Sequence, residues 1–98
     1  MLAVLSARQV HDALDWQLLH TALTAAFAVG AVVPVRHAHA LTADDTLLLM
    51  PAWNAEAIGV KLVTSFPGNL SGSAGLPTVQ GVYVLIDGTT GSVRAIAD

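Results

Sequence analysis

Lys61 is the residue least in keeping with its surroundings. It sits in Ile58-Gly59-Val60-Lys61-Leu62-Val63-Thr64, an apolar run of strand character. An ammonium in such a run is costly unless it is paired or reaches solvent. One reading is a lysine on a half-exposed strand, its stem covering apolar surface while its head stays wet. The other is a cation that holds a carboxylate or polarises a carbonyl. Spacing alone leaves both open. Arg36 is the second candidate, between Val32-Val33-Pro34-Val35 and His37-Ala38-His39. Its planar fork suits a carboxylate, and a surface ion pair with Asp44 or Asp45 accounts for it equally well. His37 and His39 are two apart and so share a face of any strand that holds them. A metal site would need at least one further ligand, which spacing does not supply, so no metal centre is expected.

No complete active site is written in the chain. Asp44 and Asp45 are neighbours in a turn, and adjacent side chains rarely converge as an acid/base pair. No phosphate-binding loop and no Gly-x-Ser-x-Gly elbow occurs. Gly68, Gly72 and Gly75 make a glycine-rich stretch, but it joins two strands instead of opening a helix, so a dinucleotide reading fails there. The absence of cysteine removes disulfides, thiol nucleophiles and thiolate metal sites.

The elements that must position these residues follow from periodicity. Leu2 to Leu5 reads as a short strand. Ser6 is placed to cap a short helix with Val10, Ala13 and Leu14 on one face. Asp15 can cap a second helix, in which Leu18, Leu19, Ala22, Leu23, Ala26 and Phe27 form an apolar stripe and Gly30 is the stop. Trp16, His20 and Phe27 read as helix packing. Val32 to Ala40 is extended, and Leu41 to Asp45 has turn chemistry. Thr46 to Trp53 and Ile58 to Phe66 are strands broken at Asn54-Ala55-Glu56-Ala57. Pro67 to Pro77 is a flexible loop. Val79 to Ile86 and Ser92 to Ala97 form a hairpin around Asp87-Gly88-Thr89-Thr90-Gly91. The expected class is α+β: two N-terminal helices packed on a largely antiparallel sheet. The chain reaches Asp98 straight after a strand, and a bare sheet edge there would invite pairing with another chain.

Composition narrows the partners. The chain of 98 residues is 54% hydrophobic and 11% charged, against a usual charged share of roughly 25%. A small domain has much surface for its volume, so this scarcity of charge predicts apolar surface covered by something else. A membrane is not the expected cover. The longest apolar stretch, Ala25 to Val35, is interrupted by Gly30 and Pro34, and the N-terminus lacks the basic region of a signal peptide. Four basic residues, Arg8, Arg36, Lys61 and Arg94, are scattered and the net charge is −3, so nucleic acid is not an expected partner either. A cytoplasmic location is the default.

Several ordered blocks then carry a resemblance. Leu48-Leu49-Met50-Pro51-Ala52-Trp53, Gly59-Val60-Lys61-Leu62-Val63-Thr64, Phe66-Pro67-Gly68-Asn69 and Gly75-Leu76-Pro77-Thr78-Val79-Gln80-Gly81 closely resemble the ornithine cyclodeaminase/mu-crystallin family. Leu5-Ser6 with Val10, Leu14 and Asp15-Trp16 looks like that family's start, and Arg36-His37 after Val33-Pro34 is similar to its arginine segment. The resemblance spans nearly the whole chain.

It implies an enzyme that uses NAD or NADP on small amino or imino acids: cyclodeamination, ketimine reduction or alanine-type dehydrogenation. It implies that residues 1–98 are the N-terminal part of the substrate-binding and dimerisation domain. The nucleotide-binding Rossmann domain, with the cofactor and a catalytic aspartate, is expected outside this chain. A homodimer formed through the sheet, completing an open barrel, is expected with it. By the same resemblance Arg36 clamps the substrate carboxylate, and Lys61 contacts that carboxylate and the reacting carbon as a catalytic residue. Thr78 adds a hydrogen bond, and Met50 lies near the pocket or simply packs. One position departs from the pattern. Ornithine cyclodeaminases carry, two residues before the Met50 equivalent, a glutamate that receives the substrate's side-chain amine. Leu48 stands there, and an apolar group cannot balance a buried ammonium. A neutral amino acid or cyclic imine is therefore expected as the better substrate. The other reading is a stand-alone binding or dimerisation module without catalysis.

Overall fold

The computed structural model describes residues 2–98. Its elements run β1 (Ala3–Leu5), α1 (Ala7–Ala13), α2 (Trp16–Val29), β2 (His37–Ala40), β3 (Thr46–Trp53), β4 (Ala57–Ser65), a 3₁₀ turn (Pro67–Leu70), β5 (Val79–Asp87) and β6 (Val93–Ala97). The α+β class is as expected. The six strands make one sheet in the order β1-β6-β5-β4-β3-β2. Neighbours from β2 to β6 are antiparallel, and β1 lies parallel to β6.

Local chemistry explains most boundaries. Ser6 and Gln9 form a reciprocal capping box: the Ser6 Oγ accepts from the Gln9 amide at 3.2 Å, and the Gln9 side chain accepts from the Ser6 amide at 2.9 Å. Asp15 Oδ1 accepts from the Gln17 and Leu18 amides and starts α2. Gly30 closes it at φ 82°, a conformation that suits a residue without Cβ. Between β3 and β4, Asn54 Oδ1 accepts from the Glu56 and Ala57 amides, which folds the chain back on itself.

Three expectations need correction. The helices do not both pack on the sheet. Val10 of α1 and Leu19 of α2 are half-buried, but the remaining stripe of α2 faces outward, with Leu18 69% and Phe27 83% exposed. The caps form α2 locally, and its apolar side needs a surface these residues do not supply. The last strand is also not a bare edge. β1 covers β6, with Ala3, Val4 and Leu5 paired to Ala95, Ile96 and Ala97. The outer strands are β1 and β2. The Pro67–Pro77 loop is partly ordered too, since its first four residues form the 3₁₀ turn and Asn69 Nδ2 donates to the Pro77 carbonyl at 3.0 Å.

The chain leaves much apolar surface open. Val63, at 6% exposure, is the one buried hydrophobic side chain among the described residues. The accessible area is 7457 Å², whereas a compact monomer of 10.1 kDa would show about 5300 Å². The scarcity of charge thus corresponds to an apolar surface that is physically present and unburied within the chain.

The β5–β6 hairpin is the best-satisfied polar feature. The Arg94 guanidinium donates to Asp87 Oδ2 at 2.7 Å, while Thr90 and Thr89 amides donate to Oδ1. The guanidinium first, then these amides, hold the Asp87 carboxyl far below its ordinary value of 3.8. A depressed folded-state value means that the contribution to stability is present above the ordinary carboxylate range and is lost as pH falls through and below it. The melting temperature should therefore drop on acidification from about pH 5, and Asp87→Asn should flatten that part of the profile. A D87N profile parallel to wild type would show that the turn carries no proton-linked stability.

Candidate functional site

Strand register brings two of the predicted residues, Met50 and Lys61, together on one face. Met50 on β3 pairs with Lys61 on β4, and Lys61 pairs with Tyr83 on β5, so their side chains stand side by side. Arg36 directly precedes β2. His37, the first paired residue of β2, stands opposite Leu49, so Arg36 enters β2 at the Met50 end of that ladder. Met50, Lys61 and Tyr83 thus stand in one row across the sheet, with Arg36 just outside it, before the first residue of β2. Leu48, opposite Val63, lies on the same face one pleat repeat from Met50.

Among the described residues neither cation is held by another protein group. The ion pairs among the described residues are Arg8–Asp12 and Arg94–Asp87. The pairing of Arg36 with Asp44 or Asp45 does not form; instead both aspartate amides donate to Thr42 Oγ1 within the β2–β3 turn. Lys61 is exposed, and it lines a cavity of about 640 Å³ between the odd-numbered face of β4–β5 and the start of the helices. Val10, Leu14 and Leu19 form the helical wall, and Tyr83 and Asp98 also line it. A second cavity, about 710 Å³, shares the Val79–Val82 wall and has no basic side chain in its lining. An acidic ligand is better matched to the first, where a cation meets apolar walls.

Thr78 is not part of this row. It precedes β5 at the far end from Asp87, half-buried, and its carbonyl accepts from the Phe66 amide at 2.7 Å. Five residues of strand, roughly 16 Å, separate it from Tyr83. Tyr83 itself went unread in the sequence, because Val82-Tyr83-Val84 looks like ordinary strand and only the β4–β5 register sets it against Lys61. His37 and His39 do share a face, with ring centroids 6.3 Å apart, and they pair with Leu49 and Leu47 on the side away from Lys61. Among the described residues no three His, Cys, Asp or Glu side chains are grouped to hold a metal.

The described residues do not fit a dinucleotide. The glycines at 68, 72 and 75 surround a 3₁₀ turn between two antiparallel strands, so no helix N-terminus is offered to a pyrophosphate. Among the described residues no helix is long and apolar enough to cross a membrane.

Comparison with known proteins agrees with this layout. Residues 2–98 match the sequence profile described as the Ornithine cyclodeaminase/mu-crystallin family. Over 100 residues the chain is 32% identical to a Delta(1)-pyrroline-2-carboxylate reductase of Colwellia psychrerythraea, covering 97% of this chain and 31% of that protein. An archaeal alanine dehydrogenase dimer with bound NAD superposes with TM-score 0.83 at 28% identity, over 98% of this chain and 30% of the other. The Thermococcus litoralis Delta(1)-pyrroline-2-carboxylate reductase, in complex with NADH and L-proline, superposes with TM-score 0.81 at 25% identity, over 97% and 31%. The chain thus spans about a third of the length of the proteins it is similar to.

Proposed function

Because the chain belongs to the ornithine cyclodeaminase/mu-crystallin family, we propose that it is the carboxylate-holding portion of an NAD(P)-dependent enzyme acting on a small amino or imino acid. The observation that supports this reading is Lys61 beside Met50 on one face of the sheet, with Arg36 at the entry to β2 and neither cation in an ion pair among the described residues. Arg36 and Lys61 grip the substrate carboxylate, and Lys61 stands nearest the reacting carbon. Met50 packs against that grip. Thr78 contributes a hydrogen bond only if the substrate, or a chain seated against the sheet, reaches across to the other end of β5. The dinucleotide is held by residues outside this chain. The contribution of these 98 residues is orientation, which can account for a large part of a catalysed rate.

A second copy is the expected cover for the open apolar surface, joining the two sheets into an open barrel. The excess accessible area and the dimeric state of the archaeal alanine dehydrogenase support it. The reading of a non-catalytic binding module draws on one observation, the lack of a dinucleotide cradle among the described residues.

Leu48 sets the substrate class. It is half-buried on the Lys61 face, so a substrate with a side-chain ammonium would lose hydration there without a counter-charge. A cyclic imine with a carboxylate, such as the one that reduces to L-proline, fits better. The test is NAD(P)H consumption by the intact protein with Δ1-pyrroline-2-carboxylate beside L-ornithine turnover. The cyclic imine should react and ornithine should be the slower substrate. No activity on any amino or imino acid, with intact dinucleotide binding, would return the reading to a binding module.

A further inference from the structure

Tyr83 is a polar group beside Lys61 that takes no part in the proposed carboxylate grip. The two are directly paired across β4 and β5 and project from the same face, at the spacing where cross-strand side chains touch. The tyrosine ring does not stand straight up from the sheet. It leans along β4, and a Cβ placed on Gly59 would overlap the phenol hydroxyl. Gly59 and Lys61 are alternate residues of one strand, so they share a face and lie one pleat repeat apart, roughly 7 Å. The hydroxyl therefore sits over the position next to Lys61, in a space that exists because residue 59 has no side chain.

That hydroxyl is also unspent. The hydrogen bonds donated by side chains among the described residues do not include it. Tyr83 and Lys61 line the same cavity of about 640 Å³, whose helical wall is apolar. Asp98 lines it as well and forms no ion pair with Lys61. The phenol oxygen leans toward Gly59, outside that lining, so the two donors, one cationic and one neutral, stand side by side at one edge of the cavity. The flexible four-carbon stem of lysine gives the ammonium reach along this face of the sheet.

We propose that Tyr83 is a further substrate-binding residue, its hydroxyl acting with the Lys61 ammonium as a two-donor clasp for one carboxylate. This rests on the carboxylate-holding role proposed for Lys61. It adds that the clasp is closed from β5, on the opposite side of Lys61 from Met50 and Arg36. Gly59 acts as a positioning residue, because its bare Cα leaves the phenol its place.

The experiment compares L-proline with L-prolinamide, which differ in the carboxylate alone, by calorimetric titration of the intact protein. Tyr83→Phe removes one oxygen and keeps the ring. It should weaken L-proline about tenfold or more and leave L-prolinamide within about twofold of wild type. Gly59→Ala, which displaces the phenol without touching its chemistry, should show the same selective loss. Unchanged L-proline binding in Y83F, alongside weakened binding in Lys61→Ala, overturns the clasp and leaves the carboxylate reading standing. Equal losses for both ligands overturn it too, since the hydroxyl would then not be reading the carboxylate. No loss in either Y83F or K61A removes the carboxylate reading itself, and the clasp with it.

Discussion

Alanine at Arg36 or at Lys61 is expected to weaken capture of a carboxylate substrate by roughly 10- to 150-fold in the intact protein. The figure is the cost of losing one partner of a charge-assisted hydrogen bond, about 1.5–3 kcal/mol. The upper part of the range belongs to the substitution that leaves the carboxylate desolvated against apolar walls. Lys61 meets that condition, lining a cavity with Val10, Leu14 and Leu19. Arg36 stands at the rim of the row, before β2, and is exposed. The larger loss should therefore fall on Lys61→Ala. Because the two cations would share one ligand, the double variant should lose less than the two single losses combined. Steady-state kinetics on all three variants check this, and wild-type constants in both single variants would end the proposal. Arg36→Lys separates charge from geometry: a point charge in place of a planar fork should recover only part of the loss.

Val63→Ala is the second substitution expected to act strongly, and it acts on stability. Val63 faces Leu48 on one side and Gly81 on the other, and one of its methyls would lie 3.0 Å from a Cβ at position 81. Removing two methyls forfeits about 0.8 kcal/mol each in transfer, and the unfilled volume adds to that, for about 2–3 kcal/mol in all. The site cannot collapse easily, since β4 is held by ladders on both flanks. Val35→Ala, at a side chain 87% exposed, is the control and should stay within about 0.5 kcal/mol. Urea midpoints read the difference; equal shifts in both variants would mean that the chain has no specific packing centre.

The sequence was most legible where local chemistry decides structure. The capping box at Ser6–Gln9, the Asp15 cap, the Asn54 turn and the Asp87 hairpin all rest on side chains bonding to backbone within four residues. Thr46–Trp53 could be bounded for the same reason, turn residues standing at both ends. Two things depended on distant partners and were not legible. The parallel pairing of β1 with β6 joins segments from opposite ends of the described chain, and no local signal encodes it. The outward stripe of α2 has the periodicity of a buried face, because periodicity reports which side is apolar and not what covers it. Within the site, Lys61 and Arg36 stood out by charge against apolar neighbours. Tyr83 did not, because a tyrosine in a strand is ordinary and only register gives it a neighbour.

The β1–β6 ladder has a kinetic consequence. The β2-to-β5 meander closes through short turns and one longer connection, so its nuclei need little loop entropy. Ala3 and Ala95 are separated by nearly the whole described chain, so their pairing carries the largest loop-closure cost in the sheet. Folding by this route seats β1 last, carrying α1 and the start of α2 with it. The same segment is then the first to come away in a partial opening, and Val10, Leu14 and Leu19 leave with it. The wall facing Lys61 is therefore expected to exchange its amide hydrogens sooner than β3 to β5, and slower exchange there would contradict this order.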